Sequence, residues 1–204
     1  KGAFAYISEK KYDVDIPCIL VKNCFVSLSI VSNLYFNKVS EKLNIIGVTG
    51  TKGKSTTSYF LKYILDEFAI ANEKKDTAII SSIYTYDGKN TYKSKLTTPE
   101  SFDLNQSGIK NVIMEVSSQA LKLGRVHSLN YCVSAFLNIS EDHIGPIEHP
   151  DFDDYLDSKL KIFEKSKVSC INLESDCIDK ILSTAKESKT KIVTFSTKDE
   201  NADV

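Results

Sequence analysis

The sequence lacks the features that would direct it to a membrane, a secretory route or a nucleic acid. No apolar run approaches the length that spans a bilayer, and no secretory signal opens the chain. The 26 basic residues are balanced by 27 acidic residues, so no excess of positive charge favours nucleic acid or an anionic lipid surface. Hydrophobic residues make up 42% of the 204 residues, which is typical of a globular chain and not of a disordered one. We therefore expect a cytoplasmic globular protein that binds neither nucleic acid nor membrane.

The cysteines argue against a further class of site. There are five of them, an odd number, and no Cys-x-x-Cys pair occurs. Cys132 and Cys170 lie inside apolar runs, where cysteine behaves as a small hydrophobic residue. We expect all five to be reduced thiols that hold no metal ion.

A glycine-rich loop within residues 44–57 is the most informative stretch of the sequence. A short apolar run leads into this loop, which ends in Gly-Lys-Ser-Thr, and a helix-like segment follows. Glycines let backbone N–H groups turn toward a polyphosphate, Lys54 supplies a positive charge, and the Ser55 hydroxyl can bind Mg²⁺. The spacing is a variant of the Walker A pattern, because Val48 stands where that pattern has glycine. The loop predicts an ATP or GTP site, and the alternative is a Gly/Thr-rich turn without a ligand. The residues predicted to hold the nucleotide are Gly50, Thr51, Lys52, Gly53, Lys54, Ser55 and Thr56.

Strand-like and helix-like segments alternate along the chain. Their hydrophobic periods predict strands at residues 3–7, 16–21, 45–49, 77–83, 111–116, 131–137, 167–173 and 191–195. The same criterion predicts helices at residues 27–42, 55–69, 118–123, 152–165 and 178–187. This alternation predicts an α/β fold with a mostly parallel sheet and helices on both faces. Ligands of such sheets bind beyond the carboxyl ends of the strands, which puts the glycine loop, Glu115 and Asn138 on one rim.

Asn44 is the predicted boundary between two domains. Residues 1–43 resemble the C-terminal part of a small α/β domain, and residues 44–204 an incomplete P-loop NTPase-like central domain. Both ends look cut, because the chain begins without an initiating Met and stops without a closing element. We therefore expect a fragment of a longer protein. Residues 101–110 leave an unusually short crossover before the strand at 111.

Several polar residues near the predicted strand ends are candidates for catalytic chemistry. Glu115 ends an apolar strand, where a carboxylate can bind Mg²⁺ or hold water, with a capping or salt-bridging role as the alternative. His143 follows the next strand and can be a second metal ligand oriented by Asp142, or a surface residue. His149 has no partner that spacing can name, so we interpret it as a loop residue. Lys159 is one of several lysines in a helix, and composition alone predicts a solvated position.

Four segments, taken in order, resemble the Mur ligase family. They are Gly-Val-Thr-Gly-Thr-Lys-Gly-Lys-Ser-Thr-Thr at 47–57, Thr-Thr-Pro-Glu at 97–100, Met-Glu-Val-Ser-Ser-Gln-Ala-Leu at 114–121 and Asn-x-x-x-Asp-His at 138–143. The second and third are similar to those of MurE-type enzymes, the UDP-N-acetylmuramoyl-dipeptide amino-acid ligases. Each motif alone is weak, but the ordered set is specific and covers most of residues 20–170.

The resemblance implies an ATP-dependent ligase of peptidoglycan synthesis, acting as a monomer. In that family ATP phosphorylates the side-chain carboxylate of D-Glu in UDP-MurNAc-L-Ala-D-Glu, and a free amino acid attacks the acyl phosphate. Carried over by position, Lys54 holds the transferred phosphate, and Lys159 matches a lysine that is carbamylated and supports Mg²⁺. The residues implied to bind Mg²⁺ are Ser55, Glu115 and His143, the last also catalytic. The residues implied to contact the muramoyl-dipeptide are Thr97, Thr98, Ser117 and Arg125.

The sequence also departs from the family pattern. Gln119 stands where the family usually has His, and residues 144–151 form an unusual loop, so the details of substrate contact stay open. The family's adenine-contacting Asn motif and C-terminal domain are missing from residues 1–204, which we expect to be inactive alone.

The alternatives to a MurE-type ligase are a folylpolyglutamate or cyanophycin type of ligase and a non-catalytic nucleotide-binding paralogue. A GTPase-like module is disfavoured because no Asn-Lys-x-Asp motif occurs. The amino acid that is added cannot be named from the sequence.

Overall fold

Strands and helices alternate in the computed structural model, which describes residues 2–72, 77–94, 109–142 and 144–204. The strands are β1 Tyr6–Ser8, β2 Cys18–Leu20, β3 Asn44–Thr49, β4 Ala78–Ile80, β5 Tyr84–Tyr86, β6 Thr91–Lys93, β7 Asn111–Glu115, β8 Tyr131–Phe136, β9 Ser166–Asn172 and β10 Lys191–Phe195. The α-helices are α1 Cys24–Tyr35, α2 Lys54–Ala71, α3 Ser118–Leu123, α4 Phe152–Leu160 and α5 Ile178–Glu187. Short 3₁₀ turns cover Val39–Glu41 and Lys161–Lys165. None of the helices in these ranges is long and apolar enough to cross a membrane.

The main sheet has eight strands among the described residues, in the order β10-β9-β8-β3-β7-β4-β5-β6. All neighbours from β10 to β4 pair in parallel, and β5 and β6 add an antiparallel edge. β1 and β2 form a separate parallel pair. The predicted α/β class with a mostly parallel sheet is confirmed.

Alternate residues of the central strands bury against opposite faces of the sheet, as the pleat of a strand requires. On β7, Val112 and Met114 pack into one apolar core with α4 and α5, while Ile113 packs into a second core with α2. On β4, Ile80 and Ile79 divide in the same way. A strand that is buried on both sides has apolar residues at nearly every position. These short apolar runs are the signal that predicts the central strands from the sequence.

Two predicted helices end earlier in the structure than in the sequence analysis. The helix predicted at 27–42 stops at Tyr35, because Asn37 and Lys38 adopt positive φ angles of 57° and 54°. The helix predicted at 152–165 stops at Leu160 and tightens into the 3₁₀ turn at Lys161–Lys165. The short crossover at 101–110 lies largely outside the described residues.

Candidate functional site

The site is built where the direction of the chain across the sheet reverses. β3 lies between β7 and β8, and the chain continues from β3 toward β4 on one side and from β8 toward β10 on the other. The register pairs Val48 with Glu115 and Thr49 with Phe136, so these strands end at the same level. Crevices at such reversals, beyond the carboxyl ends of the strands, are where ligands bind in open α/β sheets.

The glycine-rich loop at residues 50–53, which we call the phosphate loop, follows β3. It is shaped by two glycines and held by Asn138. Gly50 has φ 155° and Gly53 has φ 83°, conformations that L side chains rarely adopt. The Asn138 backbone carbonyl accepts a hydrogen bond from Thr51 N at 3.0 Å, and Asn138 Oδ1 accepts one from Lys52 N at 2.9 Å. Asn138 Nδ2 also donates to the Lys52 carbonyl at 3.1 Å. Asn138, two residues beyond β8, therefore holds Thr51 through its backbone and Lys52 through its side chain.

Lys54 begins helix α2 and turns back over the loop. Its Nζ donates to the carbonyls of Gly50 at 2.9 Å and Thr51 at 3.1 Å. Burial lowers the pKa of Lys54, while the negative charges of Glu115 and Asp142 act in the opposite direction. The ammonium group thus lies among backbone oxygens at the mouth of the loop, where a phosphate would meet it.

Glu115, Ser82 and Ser55 form a row of oxygen-bearing side chains beside Lys54. Glu115 is 1% exposed, and its Oε1 accepts a hydrogen bond from Ser82 N at 3.1 Å. Ser82 Oγ lies 3.2 Å from Ser55 Oγ. Ser82 was missed by the sequence analysis, although its position just after β4 on the same rim was a usable signal. Carboxylate and hydroxyl oxygens are the ligands that Mg²⁺ prefers, so Glu115 and Ser55 fit a magnesium ion held next to a phosphate.

Lys159 is buried, and the solvated position predicted from composition is wrong. It is 2% exposed, its Nζ donates to the Gly50 carbonyl at 2.9 Å, and it lies 4.7 Å from the ring centre of Tyr155. Burial, with a smaller contribution from the charge of Lys54, lowers the pKa of Lys159 to about 7. An amine with this pKa is largely neutral just above neutral pH, which is the form that reacts with carbon dioxide.

The structure brings some of the predicted residues together and separates others. Lys52 pairs with Asp142 at 2.9 Å on the outer side of the loop. Ser117 caps α3, its Oγ accepting from Ala120 N at 3.2 Å. Arg125 lies past the other end of α3, with its guanidinium 5.4 Å from the ring centre of Phe25. The predicted residues that lie outside the described part of the chain are Thr97, Thr98 and His143.

His149 lies outside the helices and strands, as interpreted from the sequence, but it is a buried residue with hydrogen-bond partners that spacing did not name. The ring is fully buried, with Nδ1 2.5 Å from Asp154 Oδ2 and Nε2 2.9 Å from Ser118 Oγ. Sequence spacing could have identified only the Asp154 pair, since Ser118 comes from a distant helix.

Comparison with known proteins places this geometry in a family. Residues 48–204 match the family described as Mur ligase middle domain. The chain is 42% identical over 203 residues to the UDP-N-acetylmuramoyl-L-alanyl-D-glutamate–L-lysine ligase of Enterococcus faecalis, a match that covers 95% of this chain and 39% of that protein. The chain thus spans about two fifths of the length of this relative.

Solved structures share the fold. The structure of a UDP-N-acetylmuramoyl-L-alanyl-D-glutamate–2,6-diaminopimelate ligase aligns with a TM-score of 0.76 at 24% identity, over 99% of this chain and 42% of that chain. A MurF ligase from Thermotoga maritima in complex with ADP aligns with a TM-score of 0.56 at 18% identity, over 97% of this chain and 42% of that chain.

Proposed function

Since this chain belongs to the Mur ligase family, we propose that it is the central part of an ATP-dependent amino-acid ligase of the MurE type. The substrate is UDP-MurNAc-L-Ala-D-Glu, and the product carries a new amide at the D-Glu side chain. L-Lysine is the first amino acid to test, because the Enterococcus relative at 42% identity is named as an L-lysine ligase. Residues 1–43 belong to the preceding domain and residues 44–204 to the central one, and the whole protein acts as a cytoplasmic monomer.

The observation that carries the proposal is the meeting of two lysines at one backbone carbonyl. Lys54 Nζ and Lys159 Nζ each donate to Gly50 O at 2.9 Å. The positive charge of Lys54 and a buried, largely neutral amine on Lys159 lie side by side at the phosphate loop. Such an arrangement suits phosphoryl transfer, because that reaction depends mainly on positioning and charge stabilisation.

The reaction proceeds in two chemical steps. A carboxylate oxygen of D-Glu attacks the γ-phosphorus of ATP, which gives an acyl phosphate and ADP. The amino group of the incoming amino acid then attacks the acyl carbon, and phosphate leaves with the oxygen that joined it to the carbonyl. Lys54 stabilises the charge on the phosphoryl oxygens during the first step, and the loop fixed by Asn138 keeps its N–H groups directed at the phosphates.

Ser55, Glu115 and His143 would hold Mg²⁺, which neutralises charge on the transferring phosphoryl group. Lys159 contributes after its neutral amine has added carbon dioxide, losing a proton and gaining a carboxylate. That change converts a neutral amine beside the phosphate loop into an anionic carbamate able to support a metal ion. Thr97, Thr98, Ser117 and Arg125 would contact the muramoyl-dipeptide.

A phosphate-release assay on the full-length protein tests the proposed function. The assay combines ATP, Mg²⁺ and UDP-MurNAc-L-Ala-D-Glu with a panel of amino acids that includes L-lysine and diaminopimelate. We expect phosphate release that requires both the precursor and one amino acid. Phosphate release with folate or cyanophycin acceptors instead would assign the protein to another branch of the family. Nucleotide binding without phosphate release would identify a non-catalytic paralogue.

A further inference from the structure

His149 joins two helices that carry different parts of the proposed site. Its Nε2 meets Ser118 Oγ at 2.9 Å at the start of α3, and its Nδ1 meets Asp154 Oδ2 at 2.5 Å on α4. Because an ionised carboxylate only accepts hydrogen bonds, Nδ1 carries the proton in this pair. Lys122 Nζ also donates to Asp154 Oδ2 at 2.7 Å, so the carboxylate is fixed from two sides.

The imidazole ring also packs against Tyr155. The two ring centres lie 5.1 Å apart in an edge-to-face arrangement, and both side chains are fully buried. Tyr155 in turn contacts the catalytic groups, since its hydroxyl lies 3.1 Å from Thr51 Oγ1 and its ring centre 4.7 Å from Lys159 Nζ. A path of direct contacts therefore runs from His149 through Tyr155 to the phosphate loop and Lys159.

His149 also closes the turn at residues 144–149. Gly145 N donates to the His149 carbonyl at 2.8 Å, and Ile144 and His149 form an isolated parallel bridge. Asp142 itself pairs with Lys52 of the phosphate loop at 2.9 Å. His149 is thus held through its backbone as well as its ring, and Asp142, nearby in the sequence, contacts the phosphate loop.

We propose that His149 is a positioning residue that holds Tyr155 against Lys159, and so keeps the Lys159 amine dry and aligned for carbamylation and for phosphoryl transfer. Loss of the ring leaves a cavity beside Tyr155, and the tyrosine relaxes into it. Water then reaches Lys159, whose amine is protonated more often and adds carbon dioxide less readily. This role rests on the proposed ligase function, because it acts through Lys159.

The test compares full-length wild type with His149→Gln, His149→Ala and Ser118→Ala. Glutamine can bond either Asp154 or Ser118 but cannot span both, so we expect the effects to increase from Gln to Ala. The matched control is His127→Gln, because His127 is an exposed histidine outside this network. Two readouts are taken: the ¹³C signal of the Lys159 carbamate at fixed ¹³C-bicarbonate, and kcat with KM for ATP.

We expect His149→Gln to lose carbamate signal and to lower kcat about tenfold, with a smaller change in KM, as for other residues that orient a catalytic group. The bicarbonate concentration for half-maximal activity rises in parallel, an effect that thermal destabilisation alone does not produce. If the His149 variants fail to fold, the Ser118→Ala variant tests the role of His149 instead. It removes only the hydroxyl that bonds His149 Nε2, and it should raise the bicarbonate concentration needed for half-maximal activity.

Wild-type carbamate occupancy and kcat in the folded variants would overturn the role of His149 and leave the ligase function intact. A wild-type protein that shows neither carbamate nor ligase activity would instead refute the proposed function, and the role of His149 with it.

Discussion

Lys159 Nζ and the carbonyl oxygen of Gly50 are joined by a 2.9 Å hydrogen bond that ties helix α4 to the phosphate loop. The loop glycine has φ 155°, and the lysine is 2% exposed. Burial disfavours the charged form of a lysine, so this position is costly in a purely structural role, which favours a functional one.

Replacement of Lys159 by alanine tests its role in the reaction. We expect Lys159→Ala to lower kcat of the full-length ligase at least about 100-fold, because a group that supports charge in the transition state is lost. The control is Lys161→Ala, which removes an exposed lysine just beyond the same helix. Steady-state phosphate release measures both variants. Unchanged activity of Lys159→Ala would remove lysine carbamylation from the mechanism.

The low pKa of Lys159 predicts the pH at which its carbamate forms. Because burial lowers this pKa to about 7 from the ordinary lysine value of 10.5, the neutral amine accumulates as the pH rises through about 7. At constant dissolved carbon dioxide, the ¹³C carbamate signal should rise between about pH 6 and pH 8. A signal that appears only near pH 10 would indicate an ordinary, solvated lysine.

The carboxylate of Glu115 is expected to act through magnesium. Glu115→Gln keeps an oxygen that can accept from Ser82 N but removes the charge, so MgADP should bind about tenfold more weakly or worse. ADP without Mg²⁺ should bind as well as before or better, since a negative charge beside the phosphates is gone. Calorimetry with and without Mg²⁺ measures the difference, and Glu141→Gln at an exposed position is the control. Equal losses in both titrations would contradict a metal-binding role.

The conformation of Gly50 makes it sensitive to a single methyl group. A Cβ there would lie 3.0 Å from Leu137 Cβ and 3.4 Å from Asn138 N, at a φ that alanine disfavours. We expect Gly50→Ala to destabilise the protein by about 1–3 kcal/mol and to abolish detectable nucleotide binding. Thermal unfolding and ADP titration measure these effects. Gly145→Ala, where an added Cβ meets nothing within 4 Å, should behave as wild type, and a similar loss there would show that the assay does not report on the loop.

Much of the fold could be predicted because the central strands are buried on both faces. Helix α5 and strand β10 were predicted with their observed bounds. The ends of helices were harder to predict from the sequence. Helix α1 stops where Asn37 and Lys38 adopt positive φ angles, which a hydrophobic period cannot reveal.

The candidate site was predictable where a motif lies on one strand end and less so where side chains meet across the fold. Glu115 ends β7 and Asn138 lies just beyond β8, so the rule that ligands bind beyond the carboxyl ends of the strands brings both to the loop. The burial of Lys159 and the bonds of His149 depend on how α4 packs against the loop and α3. Composition therefore gave the wrong environment for Lys159, and spacing gave His149 no partner.

In the proposed reaction, ATP activates a carboxylate through an acyl phosphate. The most direct test supplies the full-length protein with UDP-MurNAc-L-Ala-D-Glu labelled with ¹⁸O in the D-Glu side-chain carboxylate, together with ATP, Mg²⁺ and the amino acid that supports turnover. Mass spectrometry of the released phosphate should find one ¹⁸O atom per phosphate, because the leaving phosphate keeps the bridging oxygen. Phosphate without label, or label found in AMP, would contradict the proposed reaction.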